Sequence, residues 1–425
     1  MKVFLVQSWL GGGEPPVYPL GLASIAGSLA GHTVQIYDPN VSQRPFEELS
    51  ERLAAMAPDV AAVSLRNIDS TNKRVVVFYY KYLKETLDVI KAAAPGAKIA
   101  IGGAGFSMYA GEIMENEPRL DFGVYLEGEE TFARLLSNMD RPENVPSLYY
   151  RKGGSLKFSG PGAAPDINFL PSPAIGPAPV GAYLGVRDSV GVETKRGCAL
   201  GCVYCIYGFL NGKNYRLKDP VKIVDHIQSL AEKNGVQRFT FVDSVFNIPK
   251  EHAMGIMREM VKRGVKVKWS GWFNENGLSS ELAETAVAAG CVHFIMSPDG
   301  FDDSTLKALG KNISRKDILS AFEALAALEG VEISYNFFKN PPGQSIGNFI
   351  AMAKFIVMAR KRLGRRVHFE FNSIRVEPHT KLHEIALAEG LVKPGMSLLE
   401  PVYYTNRRTW YIEAFFNAAL RLKGK

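Results

Sequence analysis

The chain has 425 residues, of which 46% are hydrophobic and 22% charged, the balance of a soluble globular protein of two or three domains. No apolar run reaches the roughly 18–20 residues of a membrane span, and the opening Met1-Lys-Val-Phe-Leu-Val is too short for a signal peptide, so cytoplasmic residence is expected. The net charge of +7 is scattered rather than gathered into a stripe, which argues against a nucleic-acid partner.

From the amino end, strands are predicted at residues 3–7, 33–37, 60–65, 97–102 and 122–126. Helices are predicted at 20–30, 46–56, 75–94, 112–116 and 131–138. Strict alternation of the two makes a doubly wound, Rossmann-like parallel sheet over residues 1–139. Such sheets bind ligands at the carboxyl ends of their strands. Those ends read Ser8-Trp-Leu-Gly-Gly-Gly, Ser64-Leu-Arg-Asn-Ile-Asp-Ser, Gly102-Gly-Ala-Gly-Phe-Ser and Leu126-Glu-Gly-Glu-Glu. Glycine and serine there suit close backbone approach to a large phosphate-bearing ligand. Tight turns in a sheet give the same pattern, and residues 102–107 lack the spacing of a dinucleotide fingerprint.

Residues 140–188 read as a linker: eight prolines fall between Pro142 and Pro179, and a small hairpin is expected at 146–158. Alternation then resumes. Strands are predicted at 192–195, 237–242, 265–270, 291–296, 331–337 and 367–371. Helices follow at 221–234, 252–263, 280–289, 304–309, 316–328, 345–363 and 382–389. Six strand–helix units in a row predict a partial (β/α)6 TIM-type barrel over residues 189–395, with its site at the strand carboxyl ends. Asp243, Ser244, Asn274, Glu275, Ser297, Asp299, Asn336 and Asn372 collect at those ends. The longest apolar stretch, 349–358, is interrupted by Lys354 and reads as a buried helix. Residues 396–425 form an aromatic-rich tail expected to be helical.

Three of the four cysteines lie within eight residues, in Cys198-Ala-Leu-Gly-Cys202-Val-Tyr-Cys205, directly after the first barrel strand. Three thiolates so spaced can converge on one soft metal centre, one short of a closed four-thiolate shell. A structural zinc would want a fourth ligand nearby. Cys291, far along the chain at the head of a strand, reads as core.

Cys-x3-Cys-x2-Cys in this position, with Tyr204 before the last cysteine, resembles the radical S-adenosylmethionine (SAM) superfamily. The resemblance implies that Cys198, Cys202 and Cys205 hold a [4Fe–4S] cluster whose fourth iron binds SAM. The Gly31-His-Thr-Val-Gln-Ile-Tyr-Asp stretch and the strand-end loops of residues 1–139 resemble the cobalamin-binding domain of the B12-dependent radical SAM subclass, and the likeness runs from Lys2 to about Tyr404. The Asp-x-His-x-x-Gly signature of other B12 proteins is absent, and His32 stands in the wrong context. The resemblance then implies cobalamin bound without a protein histidine on cobalt, facing Arg66 and Asn67, with Gly102, Gly103, Gly105, Glu127 and Gly128 in the other loops.

In the barrel it implies SAM contacts from Tyr204, Asp243, Ser244, Ser297, Asp299, Ser334, Asn336 and the region of Asn372. Asn274 and Glu275 are the expected catalytic or substrate-contacting residues. Pro378-His-Thr resembles a structural turn of the family. The implied activity is methyl transfer to an unactivated carbon of a small molecule such as a natural product or lipid. Ring contraction, cyclisation, or transfer of the 3-amino-3-carboxypropyl group of SAM remains the alternative. An electron donor such as flavodoxin or ferredoxin and a monomeric state are also expected.

Overall fold

The computed structural model describes residues 1–176, 178 and 180–422; parts of the linker and tail expectations, at Pro177, Pro179 and 423–425, lie outside the described residues. The chain divides into two compact units: residues 1–70 with 75–191, and residues 71–74 with 192–425.

The first unit holds β1 (Lys2–Gln7), α1 (Leu20–Gly27), β2 (Thr33–Tyr37), α2 (Pro45–Met56), β3 (Val60–Ser64), α3 (Tyr80–Ala93) and β4 (Lys98–Gly102). It continues with α4 (Ala104–Met108), α5 (Ala110–Asn116), β5 (Phe122–Val124), α6 (Glu129–Leu136), β6 (Leu148–Lys152) and β7 (Ser155–Phe158). The sheet order is β2-β1-β3-β4-β5-β6-β7; β1 to β5 pair in parallel, and the hairpin β6–β7 extends the sheet antiparallel. Val3, Phe4, Leu5 and Val6 are all buried, as a strand covered on both faces by helices requires. In this winding the strand order reverses between β1 and β3, which makes a crevice at their carboxyl ends.

Two expectations shift in this unit. The predicted helix 75–94 begins only at Tyr80. The β-branched run Val75-Val-Val stays out of the helix instead, because the Ser70 hydroxyl donates to the Val75 carbonyl and accepts from the Val77 N–H. The glycine turn after β4 also gives way at once to α4, with Gly103 at φ +102 making the bend.

The second unit opens with β8 (Gly191–Val192), β9 (Lys195–Arg196), α7 (Tyr207–Leu210), β10 (Arg216–Leu217), α8 (Pro220–Asn234), β11 (Arg238–Phe241), α9 (Lys250–Lys262), β12 (Lys268–Phe273), α10 (Ser280–Ala288) and β13 (Cys291–Asp299). It ends with α11 (Asp303–Ala308), α12 (Arg315–Ala326), β14 (Glu332–Phe338), α13 (Ile346–Leu363), β15 (Val367–Asn372), β16 (Ile374–Arg375), α14 (Lys381–Ala388), β17 (Tyr403–Tyr404) and α15 (Trp410–Leu422). Six strands lie side by side in chain order, β8-β11-β12-β13-β14-β15, and every pair from β11 to β15 is parallel. Strands in chain order with a helix after each make the partial barrel. Trp269, Phe239, Phe241, Phe294, Tyr335 and Phe337 fill its core.

Strand ends differ from the predicted ones for local reasons. β8 stops at Val192 because the Thr194 and Lys195 N–H groups donate to the Asp243 carboxylate rather than to a neighbouring strand. β12 starts three residues late, since the Val265 N–H is used by the Met260 carbonyl at the end of α9. Cys291 is buried, its thiol near the His293 carbonyl at 3.8 Å, as a core residue. The apolar stretch 349–358 is helical but only half covered: Val357 and Met358 are exposed.

Candidate active site

The cysteine loop is fastened by backbone. β9 leads into it, and β10 pairs antiparallel with β9 to close it. Gly197 has φ +90, and a Cβ there would lie 2.0 Å from the Asn214 carbonyl oxygen, so no other residue fits before Cys198. The Cys198 N–H donates to the Gly212 carbonyl at 3.0 Å and the Val203 N–H to that of Leu309 at 3.0 Å; the Leu382 N–H donates to Val203 at 2.7 Å. Gly310, at φ +66, lets the turn after α11 press against the Gly201 carbonyl.

Cys198, Cys202 and Cys205 line one cavity of about 360 Å³, together with Tyr204, Ser244, Asn274, Glu275 and Ser297. Among the described residues, no three cysteine, histidine or acidic side chains lie close enough to hold a single metal ion. One ion bonded at ~2.3 Å would draw three sulfurs to within about 4 Å. An iron–sulfur cluster instead takes each thiolate on a different iron, further apart. Burial pushes the Cys205 thiol up to about 12 and raises that of Cys202, while the Lys311 ammonium opposes both shifts. Such thiols stay protonated unless a metal displaces the proton, so the donor set fits a cluster better than a reactive nucleophile.

A buried ionic network, which the sequence reading missed, stands beside this loop. Lys311 Nζ lies 2.5 Å from the Asp299 carboxylate, 2.6 Å from the Ser297 carbonyl and 3.3 Å from the Tyr204 hydroxyl, which itself donates to Asp299. Burial works against the charge on Lys311, but Asp299, Cys202 and Glu275 together hold its pKa above the usual value. Tyr204 also packs edge-on against Phe338 at 4.9 Å. Asp299 sits at φ +65, where β13 slips register, so the Ser297-Pro-Asp-Gly turn aims its carboxylate at Lys311.

Asp243 is occupied in the same way. Its carboxylate accepts from the Thr194 N–H at 2.9 Å, from the Thr194 hydroxyl and from Lys195 Nζ at 3.0 Å, and both ion-pair side chains are fully buried. Asp243 and Asp299, expected to touch SAM, each make a buried ion pair, Asp243 at the strand entering the loop and Asp299 at the tyrosine within it. Ser334 bonds His293 Nε2 at 2.8 Å, and Asn336 donates to the Ser297 hydroxyl at 3.1 Å, one residue removed from the cavity wall. The Asn372 carbonyl accepts from the Lys339 N–H, and the side chain is exposed.

Asn274 and Glu275 do reach the cavity. Asn274 is locked between Asn247 and Asn312. Glu275 is buried, one of its carboxylate oxygens has no hydrogen-bond partner, and burial pushes its pKa up to about 7. The cavity wall also includes Trp272, Lys213 and a Phe209–His379 stack at 4.0 Å. The Pro378-His-Thr turn, expected to be structural, thus supplies wall. Gly197 could have been read from Arg-Gly-Cys, whereas nothing local marks Lys311.

In the first unit, the loops after β3 and β4 interlock. A Cβ on Gly103 would lie 2.7 Å from the Leu65 carbonyl oxygen, and one on Gly105 2.9 Å from the same atom. The Gly105 N–H donates to the Arg66 carbonyl at 2.9 Å, which fixes Arg66 and Asn67 at the β1–β3 crevice. Gly102 packs on Val124 and Gly128 on Ile25, and Glu127 follows the left-handed Leu126. The Ser8 hydroxyl, at the carboxyl end of β1, is buried without a hydrogen-bond partner. His32, the only histidine before residue 226, stands at the amino end of β2, the opposite edge. The crevice therefore fits a ligand held by backbone and small polar groups with no histidine beneath it.

A family model described as the B12 binding domain matches residues 13–136, and one described as the radical SAM superfamily matches residues 192–356. An uncharacterized methyltransferase of Pyrococcus horikoshii is 22% identical over 88% of this chain and 79% of its own. An anaerobic magnesium-protoporphyrin IX monomethyl ester cyclase of Synechocystis is 26% identical over 69% of this chain, which spans 59% of that protein. The radical SAM methyltransferase TsrM of Kitasatospora setae, solved with tryptophan and a SAM analogue, superposes with a TM-score of 0.79 at 20% identity, covering 96% of this chain and 80% of that one. With a B12-binding domain ahead of a radical SAM domain, the chain belongs to the cobalamin-dependent radical SAM family, whose cofactors are a [4Fe–4S] cluster, SAM and cobalamin.

Proposed function

We propose that the protein methylates an unactivated carbon of a small-molecule substrate. The observation that carries the reading is a loop of three thiols, one ligand short of a closed shell, lining a cavity of about 360 Å³ in a chain that also carries a B12-binding domain. When bound, the cluster, SAM and cobalamin supply the electron-transfer and methyl-transfer chemistry, as cofactors of this class do.

The chain's own residues position and shield. Cys198, Cys202 and Cys205 are the cluster thiolates, and Gly197 and Gly310 fix their loop. Ser244, Ser297 and Asn274 offer hydroxyl and amide groups to the amino acid end and ribose of SAM. Asp299, through Lys311 and Tyr204, keeps the wall beside Cys202 rigid and excludes water; Asp243, through Lys195, does so for the strand that enters the loop. Glu275, the one orphaned carboxylate among these groups, meets a cationic or hydrogen-bond-donating part of SAM or substrate. Arg66, Asn67 and the loops carrying Gly103, Gly105 and Glu127 would hold the corrin, and Arg66 would add a cation to that crevice.

The test is anaerobic reconstitution with iron, sulfide and methylcobalamin, followed by turnover with SAM labelled in its methyl group. Retained corrin and label in product are expected. A protein that builds its cluster and retains no corrin would refute the methylation reading and leave the radical SAM assignment standing. The cyclase relative gives a specific reason to score unmethylated, ring-closed product as the second reading.

A further inference from the structure

α13 is apolar on two faces. Met352, Phe355 and Ala359 are buried inward, yet Ile346, Ile350 and Val357, spaced four and seven residues apart, form an outward stripe that is 55%, 47% and 68% exposed. A helix hydrophobic all round is normally buried. The stripe borders an open groove of about 900 Å³. Beside it, Phe415 of α15 is 58% exposed, with its ring 5.5 Å from Phe349. Contiguous apolar surface of this kind marks an interaction site rather than chance exposure.

The charge around the groove selects the partner. Lys354, Lys361 and Arg362 line it, and the single carboxylate in its wall, Glu323, is paired with Arg362 at 2.6 Å. Arg365, Arg407 and Arg408 follow at the ends of the two elements. In a two-fold pairing of this face, Lys354, Lys361 and Arg362 would face the same cations of the second copy, and like charges oppose such an interface. Aliphatic side chains flanked by the exposed Phe415 ring and by lysine and arginine match the surface of an anionic bilayer, where apolar groups enter the headgroup boundary and cations meet lipid phosphates. No helix among the described residues is long and apolar enough to cross a membrane, so the contact is peripheral.

We infer that the α13–α15 face docks on anionic lipid surfaces. The inference is independent of methyl transfer, because the test needs no turnover and either can fail alone.

The full-length protein is mixed with vesicles of phosphatidylcholine, with or without phosphatidylglycerol, and sedimented at low and high salt. Co-sedimentation with the phosphatidylglycerol vesicles alone, reduced by salt, is expected. Ile350→Glu/Val357→Glu should abolish it. Lys354→Gln/Lys361→Gln should weaken it roughly twenty-five-fold, at about fivefold per cation. Both variants change exposed positions, and unchanged circular dichroism and cluster absorbance will show that they are folded. Failure of the wild type to sediment, equal binding to neutral vesicles, or variants that bind like the wild type would each overturn the inference. So would a dimer in light scattering that Val357→Glu makes monomeric, which would assign the face to a second copy, or selective capture by an acidic protein without vesicle binding.

Discussion

The two units prepare their strand ends by opposite means. At the crevice of the first, the work is done by backbone: glycines at 103 and 105 let two loops touch at the Leu65 carbonyl. At the mouth of the barrel, charged side chains are buried around the cysteine loop, Lys311 with Asp299 and Lys195 with Asp243. A large ligand lying flat on a sheet needs bare, closely approached backbone, and a side chain there would hold it off. A cluster held by three thiols needs the loop between them fixed, and buried ion pairs resist distortion because breaking one leaves an uncompensated charge.

The largest effect in that comparison should come from the loop itself. Replacing Cys198, Cys202 and Cys205 with alanine is expected to abolish the iron–sulfur absorbance near about 400 nm and all SAM cleavage; survival of either would end the cluster assignment. Next, Lys311→Met strands the Asp299 carboxylate and should cost about 3–5 kcal/mol by calorimetry. Adding Asp299→Asn should recover much of the loss, since the stranded charge goes too. If the single variant is as stable as the wild type, the network braces nothing.

Gly103→Ala probes the first unit. Its Cβ would meet the Leu65 carbonyl in a left-handed conformation, at a cost of about 1–3 kcal/mol. Corrin retention should fall while iron content stays at the wild-type level, a split that a general folding defect would not produce.

The last effect concerns pH. Burial raises the Glu275 pKa from 4.5 to about 7, so the folded chain holds this proton more tightly than the unfolded one. Its contribution is complete below about pH 4.5 and is lost as pH rises through 7, on the order of 3 kcal/mol in metal-free protein. Glu275→Gln should flatten the melting-temperature profile in that window; an unchanged profile would mean that Glu275 is already ionised.

Much of this was legible in the linear chain. Strand–helix alternation gave both sheets, because burial on two faces leaves continuous apolar runs such as Val3–Val6, and the spacing of Cys198, Cys202 and Cys205 marks a metal-binding loop without any coordinates. Strand ends were less legible at β8 and β12, where one carboxylate and one helix end take N–H groups that a pattern reading gives to the ladder.

Chain order, apolar period and cysteine spacing are local properties, and the sequence by itself determined the element order, the two-unit plan and the three-cysteine loop. Side-chain partnership is not local. Asp243 and Asp299 stand at strand ends in the sequence, and only the structure pairs them with Lys195 and Lys311, 48 and 12 residues away. Glu275 stands out only because no such partner reaches one of its oxygens. Only the tertiary structure decided which strand-end groups are spent on holding the site and which are left free to meet what enters it.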